Sequence, residues 1–405
     1  MNKLLFKRAC LAAAVCMLPV SQAALADVKI SGWINEDMMY YDDGTNSDIV
    51  QASGNGTTLG SRITFSGSTD LPAGLNAGFE VILEPQDGFA GEPIFASQTT
   101  IKNNTPLVGG INTLGHSVYL SGAWGKVTAG LQTMPTDNIA VLGDPSLTLW
   151  SSIGVLFRGN GFVIKGNAAG QTWGTFLQCQ TLGGAGIGLD CNGIYRNGVR
   201  YDLPTFIQGL TISTSYANDD IYDVAGTYAT DLGRLKGNLR AGYAQNNGPG
   251  GTGTGFYSST ELFQIQGGLM DPVTGLFGTV AYQKEGATTA SNLNSSESDV
   301  YWLKVGIKRT WNSLGDTVFA FQYGSYNDQY GAINTTLGLT AATAVTGSEV
   351  QRFGFEVDQY IGSALLIYGQ YENLSLTVDA NAAGTTAALE GNDLDLFTLG
   401  ATYFF

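Results

Sequence analysis

A single histidine, His116, stands in 405 residues, with only four cysteines and ten prolines, and charged residues make up 13% of the chain. A Ser–His catalytic pair would have to use that one imidazole, and no Gly-x-Ser-x-Gly elbow surrounds any serine. One histidine and few thiols also make a poor zinc set. A two-carboxylate site is open to any acidic chain, but no spacing here points to one. Basic residues are scarce: 19 Lys and Arg against 34 Asp and Glu give a formal charge of −15, which argues against nucleic acid as a partner. Beyond the N-terminus no apolar run approaches the length of a spanning helix.

The first 26 residues differ from the rest. Lys3, Lys7 and Arg8 precede an apolar run from Ala9 to Val20, and Ala24-Leu25-Ala26 follows as a small-x-small cleavage site. This is the pattern of a secretory signal peptide, so 1–26 is expected to be removed and 27–405 to form one domain. Cys10 and Cys16 would leave with it. Asp27, not a cysteine, follows the cleavage point, against a lipoprotein. Without the three basic residues of the leader, 16 cations remain against 34 acids, a formal charge of −18. Cys179 and Cys191 flank the glycine-rich stretch TLGGAGIGLD and are expected to pair in an oxidising compartment.

What the chain does have is glycine (56 residues), aromatics and apolar residues at every second position. The terminal LDLFTLGATYFF sets Phe397, Leu399, Ala401, Tyr403 and Phe405 on one face, with Leu396 and Phe404 as exceptions to the alternation. The same reading predicts sixteen strands, near 28–40, 59–70, 75–84, 115–122, 125–133, 196–203, 208–217, 221–230, 234–246, 258–269, 275–284, 299–309, 316–327, 348–358, 363–375 and 394–405. Short turns carrying Gly, Pro and Asp alternate with long connections rich in Asn, Gly, Ser and Thr, the longest being 134–195. An even number of strands with short turns on one side and long loops on the other predicts an all-β, antiparallel transmembrane β-barrel with short periplasmic turns and long extracellular loops. Charge on the lipid face costs a few kcal/mol near mid-membrane. Alternation therefore turns Lys29, Arg62, Lys126, Arg200, Lys236, Arg240, Lys304, Lys308 and Arg352 toward the lumen. Glu80, Glu84, Asp202, Glu356 and Asp358 face the same way, while many other acids fall in loops.

Four segments in order resemble general Gram-negative porins: Gly60-Ser-Arg-Ile-Thr-Phe-Ser-Gly-Ser-Thr-Asp-Leu-Pro-Ala-Gly-Leu-Asn-Ala-Gly-Phe-Glu, Gly125-Lys-Val-Thr-Ala-Gly-Leu-Gln, Asn197-Gly-Val-Arg-Tyr-Asp-Leu-Pro and the terminal Phe405. The resemblance implies a sixteen-stranded homotrimeric barrel in outer-membrane lipid, whose third loop, 134–195 here, folds inward and narrows the pore. It matches Arg62 and Arg200 to the family's basic cluster and makes Asp137 and Asp144 candidates for the opposing acids. His116 stands where relatives often carry an arginine, which removes one fixed charge at neutral pH. The pore-lining candidates are thus Arg62, Arg200, Lys126, Lys29, Arg240, Lys304, Lys308, Arg352, His116, Asp137 and Asp144. Trp33, also inward, reads either as a sugar-stacking platform or as a residue packed under a loop.

The expected function is passive diffusion of ions and small hydrophilic solutes through a water-filled channel, with no reaction and no cofactor. Two alternatives share the scaffold: a channel preferring sugars or anions, and an adhesin or phage receptor acting through 86–114 and 328–347. The basic inner wall argues for anions and the acidic mouth for cations; the narrowest ring decides, because mouth charge is screened over roughly 8 Å. Gly251-Thr-Gly-Thr-Gly lacks the Lys-Ser/Thr of a phosphate loop and is expected to be an extracellular tip.

Overall fold

A computed structural model describes residues 27–53, 60–86, 110–152, 158–166, 171–179, 187–193, 195–247, 259–288, 297–329, 344–382 and 385–405. The leader 1–26, most of 86–114 and 328–347, and the Gly251 tip lie outside the described residues.

Period-two alternation does become strands. They are β1 (Lys29–Asp42), β2 (Ser47–Ser53), β3 (Arg62–Leu71), β4 (Leu75–Gln86), β5 (Gly110–Gly122), β6 (Gly125–Gln132), β7 (Arg196–Asp202), β8 (Leu210–Ala217) and β9 (Ile221–Leu232). Then follow β10 (Leu235–Asn246), β11 (Ser259–Met270), β12 (Leu276–Thr288), β13 (Glu297–Asn312), β14 (Gly315–Asn327), β15 (Ala344–Ile361), β16 (Leu365–Ala382), β17 (Thr385–Glu390) and β18 (Leu394–Phe404). All pairings are antiparallel between neighbours, and β1 pairs with β18 from Trp33↔Phe404 to Asp42↔Asp395, closing the sheet. Beyond that ladder, Gly32 and Phe405 exchange backbone hydrogen bonds of 2.9 and 3.1 Å. β2 pairs with residues 36–42 of β1 and β3 with residues 29–33, so the two are segments of one wall strand. β17 and β18 divide β16 in the same way. Eighteen segments thus make a sixteen-stranded wall.

The structure extends the sequence reading at the long-loop side. β5 begins at Gly110 rather than 115, β15 and β16 run to 344–361 and 365–382, and β2 and β17 occupy stretches expected as loop. Above the hydrocarbon no lipid selects an apolar face, so the ladder continues there without alternation in the sequence.

Outside, Met38, Val118, Val199, Val280, Tyr301, Phe355 and Leu399 are exposed, as a lipid-facing wall requires. Inside, the connection between β6 and β7, here L3, enters the lumen and has a core of its own. Phe162, Ile164, Trp173, Phe176, Leu177 and Leu189 of L3 pack against inward residues of the wall. Those wall residues are Met39 and Tyr41 of β1, Val300 and Trp302 of β13, Tyr326, Val350, Leu374 and Leu376, and Leu394 and Leu396 of β18. The expectation that apolar wall residues face lipid is corrected for this sector, where both faces are apolar. Within L3 the sulfurs of Cys179 and Cys191 are bonded to each other. Nearby, Gln283 and Gln329 each donate to the Gly188 carbonyl at 2.8 Å.

Polar anchors hold L3 to the wall around this core. Lys304 of β13, fully buried, reaches Asp144 Oδ2 and Thr148 Oγ1 of L3 and Glu356 Oε1 of β15, each at 2.6 Å. Ser151 donates to Asp358 at 2.5 Å. Arg158 of L3 is bound by Asp37 of β1 at 3.1 Å and by Gln370 and Tyr368 of β16 at 2.6 and 3.1 Å. At the other end Thr136 bonds Asp223 of β9 through its N–H and hydroxyl, at 2.7 and 2.8 Å. Trp150 sits between Trp33 and Phe404, with ring centroids 5.8 and 4.9 Å away.

Two outcomes follow from this packing. Phe162→Ala should lower the stability of the refolded barrel by about 3–5 kcal/mol, read from its urea unfolding midpoint; a change within error would mean that the L3 core does not support the fold. Lys304→Met leaves Asp144 and Glu356 buried without their cation, a loss of about 3–5 kcal/mol. It should therefore make L3 susceptible to limited proteolysis while the barrel stays folded, and resistance equal to wild type would refute the anchoring role.

Candidate pore wall and constriction

Among the described residues, the contacts of L3 run from β8 through β16 to β1 and leave the inner face of β3 to β7 uncovered. Against that face lies a cavity of about 310 Å³, lined by Lys29, Glu80, Tyr119, Lys126, Thr128 and Arg200 among others. The wall here is polar because its inward positions are Ser66, Ser68, Ser117, Thr128, Ser213 and Ser215 rather than leucines, and the strand ladders carry the charges between them.

Most cations on this face are tied to acids. Arg62 donates through Nε to Glu84 at 2.8 Å and lies over the Trp33 ring at 5.3 Å. Arg200 reaches Asp202 at 2.7 Å and Ser213 at 3.3 Å. Lys126, its side chain 44% exposed, shares Asp202 at 3.3 Å and lies 5.5 Å from the Tyr119 ring centre. Arg240 of β10 is half-buried, and its Nε has no hydrogen-bond acceptor.

On the L3 side Asp137 accepts a short hydrogen bond from Thr133. Burial and the neighbouring Asp190 hold its carboxyl well above the usual carboxylate range, against the opposing pull of Thr133, Arg62 and Arg200. Beside it burial pushes the half-buried Tyr195 hydroxyl up to about 12, so it remains neutral near Arg62.

The sequence-predicted residues divide. Lys29, Arg62, Lys126, Arg200 and Arg240 face the lumen, and Asp137 of L3 lies within electrostatic reach of Arg62 and Arg200. Lys304 and Asp144 face each other, and Arg352 is fully buried in an ion pair with Glu372. Lys308, half-buried beneath L3, donates to the Ser146 carbonyl at 3.0 Å and lies 4.7 Å from the Tyr360 ring centre. The expectation that Lys304, Lys308, Arg352 and Asp144 line the pore is therefore corrected: they fasten the loop or the wall beneath it.

His116 is corrected outright. It pairs in the ladder with Val81 and Leu131 and is exposed on the same face as Val118 and Leu120, toward lipid. One residue of slip flips a strand's faces, and Ser117-Val118-Tyr119-Leu120-Ser121 already fixes the serines inward and the histidine outward. Trp33 packs under L3. Sequence reasoning missed Arg158, the one cation by which L3 grips the wall at β1 and β16, and the inward acids Asp37, Asp223 and Glu372. Asp37 could have been found: it lies two residues from Asn35 and Met39 on the inward parity of β1.

With this geometry in hand, the comparisons are consistent. A family model described as Gram-negative porin matches residues 9–379. No curated protein matches the chain in sequence. Among solved structures, an anion-selective porin from Comamonas acidovorans is 20% identical, with 94% of this chain and 100% of that chain covered and a TM-score of 0.57. The in-vitro folded outer membrane protein OmpT of Vibrio cholerae is 13% identical over 93% and 97%, TM-score 0.53, and the outer membrane channel DcaP of Acinetobacter baumannii 12% over 94% and 97%, TM-score 0.52. At these identities the likeness is one of fold. The family match, spanning most of the chain, together with the closed sixteen-stranded barrel, identifies this chain as a member of the Gram-negative porin family, a passive diffusion channel of the outer membrane.

Proposed function

We propose that solutes cross along the inner face of β3 to β7 and past Arg240, between that wall and the Met134–Asn138 stretch of L3, and that this path prefers small anions. The observation that carries the reading is the charge balance there. Five cations, Lys29, Arg62, Lys126, Arg200 and Arg240, stand with four carboxylates, Glu80, Glu84 and Asp202 of the wall and Asp137 of L3. Two of the cations share Asp202, and Lys29 and Arg240 have no acid partner among the described residues. At the short-turn rim Lys236 lies in register with Asp231. The Comamonas acidovorans relative, described as anion-selective, agrees with this reading. Sugar stacking on Trp33 is not favoured, because Trp150 and Arg62 cover the ring. The channel performs no reaction on what passes, and three copies are proposed to assemble as in the trimeric form of a structural relative.

In planar bilayers under a salt gradient, the reversal potential should have the sign of anion preference, and current should rise in three steps per insertion. Arg240→Ala should shift the potential toward cations with little change in conductance. A cation-selective wild type would overturn the reading.

Asp137 adds a pH dependence. Its raised pKa means that the carboxyl takes up a proton at a pH above the ordinary carboxylate range. Anion preference should therefore grow as pH falls through that window. Asp137→Asn should show the larger preference already at neutral pH and lose the step; a step of unchanged size in the variant would assign it to another group.

A further inference from the structure

The outward face of β9 to β13 carries a groove of about 820 Å³ that the transport function does not use. It is apolar, walled by Leu232, Leu239, Leu269, Val280, Leu303 and Val305. Its floor is bare because Gly237, Gly267 and Gly278 stand at outward positions of three adjacent strands, in register with Leu269, Leu239 and Val305.

Neither backbone conformation nor internal packing requires glycine at two of these positions. None of the three has a positive φ. A Cβ at Gly267 would come no nearer than 3.9 Å to any atom, and at Gly278 no nearer than 3.6 Å. Inward glycines of the same wall differ: a Cβ at Gly306 would lie 2.4 Å from the Phe319 carbonyl oxygen. Glycine inside a strand costs roughly 0.5–1 kcal/mol relative to alanine, so this floor is kept open at the expense of stability.

The groove lies at the short-turn end of the barrel, next to the turns 233–234 and 271–275. Two cations bracket the second turn. Arg234, its side chain 64% exposed, pairs with Asp271 at 2.7 Å. Arg309 is exposed on the outward parity of β13, and its stem runs along the turn, with Cγ 2.6 Å from where a Cβ on Gly275 would be. Trp311, two residues on, stacks with Phe319 at 5.5 Å and marks the aromatic girdle of the interface. From Leu232 to Tyr228 the groove wall spans four residue steps, about 13 Å at 3.3 Å each, close to half of an apolar band about 25 Å tall.

We infer that this groove is a phospholipid site of the inner leaflet: one acyl chain lies over Gly237, Gly267 and Gly278, and the phosphate is held by Arg309 and Arg234. The groove fits a lipid rather than a second copy of this chain because the turns beside its apolar trough carry exposed cations next to the Trp311–Phe319 pair of the interfacial girdle.

The test uses the folded full chain in phosphatidylcholine vesicles containing chain-spin-labelled phosphatidylglycerol, with electron spin resonance reading the motionally restricted lipid. Gly267→Leu/Gly278→Leu should reduce that component while conductance stays at the wild-type value. Arg309→Gln should lower the preference for phosphatidylglycerol over spin-labelled phosphatidylcholine about fivefold, the worth of one basic residue at an anionic surface. Arg309→Gln leaves the groove itself unaltered and decides the matter should the double variant fail to fold. An unchanged restricted component with an unchanged lipid preference overturns the inference. A change of protomer number in sedimentation with unchanged lipid signals also overturns it, and would assign the groove to a second copy.

Discussion

No backbone donor or acceptor can be left unpaired in hydrocarbon, so the sheet must close on itself. Everything else in this molecule follows from that closure. Sixteen wall strands enclose a lumen too wide to be filled by wall side chains alone. The chain supplies the filling from one connection. L3 is held by two kinds of force on one surface: an apolar cluster around Phe162, Trp173 and Phe176, and buried polar anchors at Lys304 and Arg158. The barrel therefore has a core on the inside of one sector, like a soluble protein, and a solvent-exposed wall on the inside of the other.

That asymmetry changes the meaning of the chain's charge. Many of its acids do not meet solutes at all. Asp144, Glu356 and Asp358 surround Lys304, while Asp37 holds Arg158, Glu372 holds Arg352 and Asp223 holds Thr136. Each is an acid used to fasten the lumen's filling or to satisfy a buried cation. The formal charge of −15 describes the polypeptide, whereas the balance at the uncovered wall is set by a handful of side chains on β1, β3 to β7 and β10.

Much of this was legible in the sequence. Strand number, closure by the last strand and the inward parity of all nine lumen-directed cations came from period-two alternation, which a bilayer enforces residue by residue. The L3 core was legible only as an irregularity. Leu396 broke the alternation of the last strand, and Met38-Met39-Tyr40-Tyr41 is apolar on both faces, which a strand between lipid and water has no reason to be. Which cations meet solute was not legible, because alternation gives the side of a wall and not what covers it. Lys304 and Arg240 look alike in sequence; Lys304 is fully buried beneath L3, whereas Arg240 is only half-buried at its edge, between Asn238 and Gly242, which touch the loop. The face of His116 was misread because a family position was trusted over the alternation of its own strand.

L3 touches the barrel where its two ends meet. Trp150 rests on Trp33 of the first strand and Phe404 of the last, and Arg158 joins Asp37 of β1 to Tyr368 of β16, residues 331 positions apart in sequence. The same side chains thus report that the loop is seated and that the seam is shut. A wall sealed before the loop arrived would present these partners to water across an open lumen. A loop seated first would bring the earliest and latest strands of the chain into register. The seam, held by its ladder and by side chains such as Thr402 on Asn35 and Tyr40 on Phe397, is thus also riveted from within by the loop.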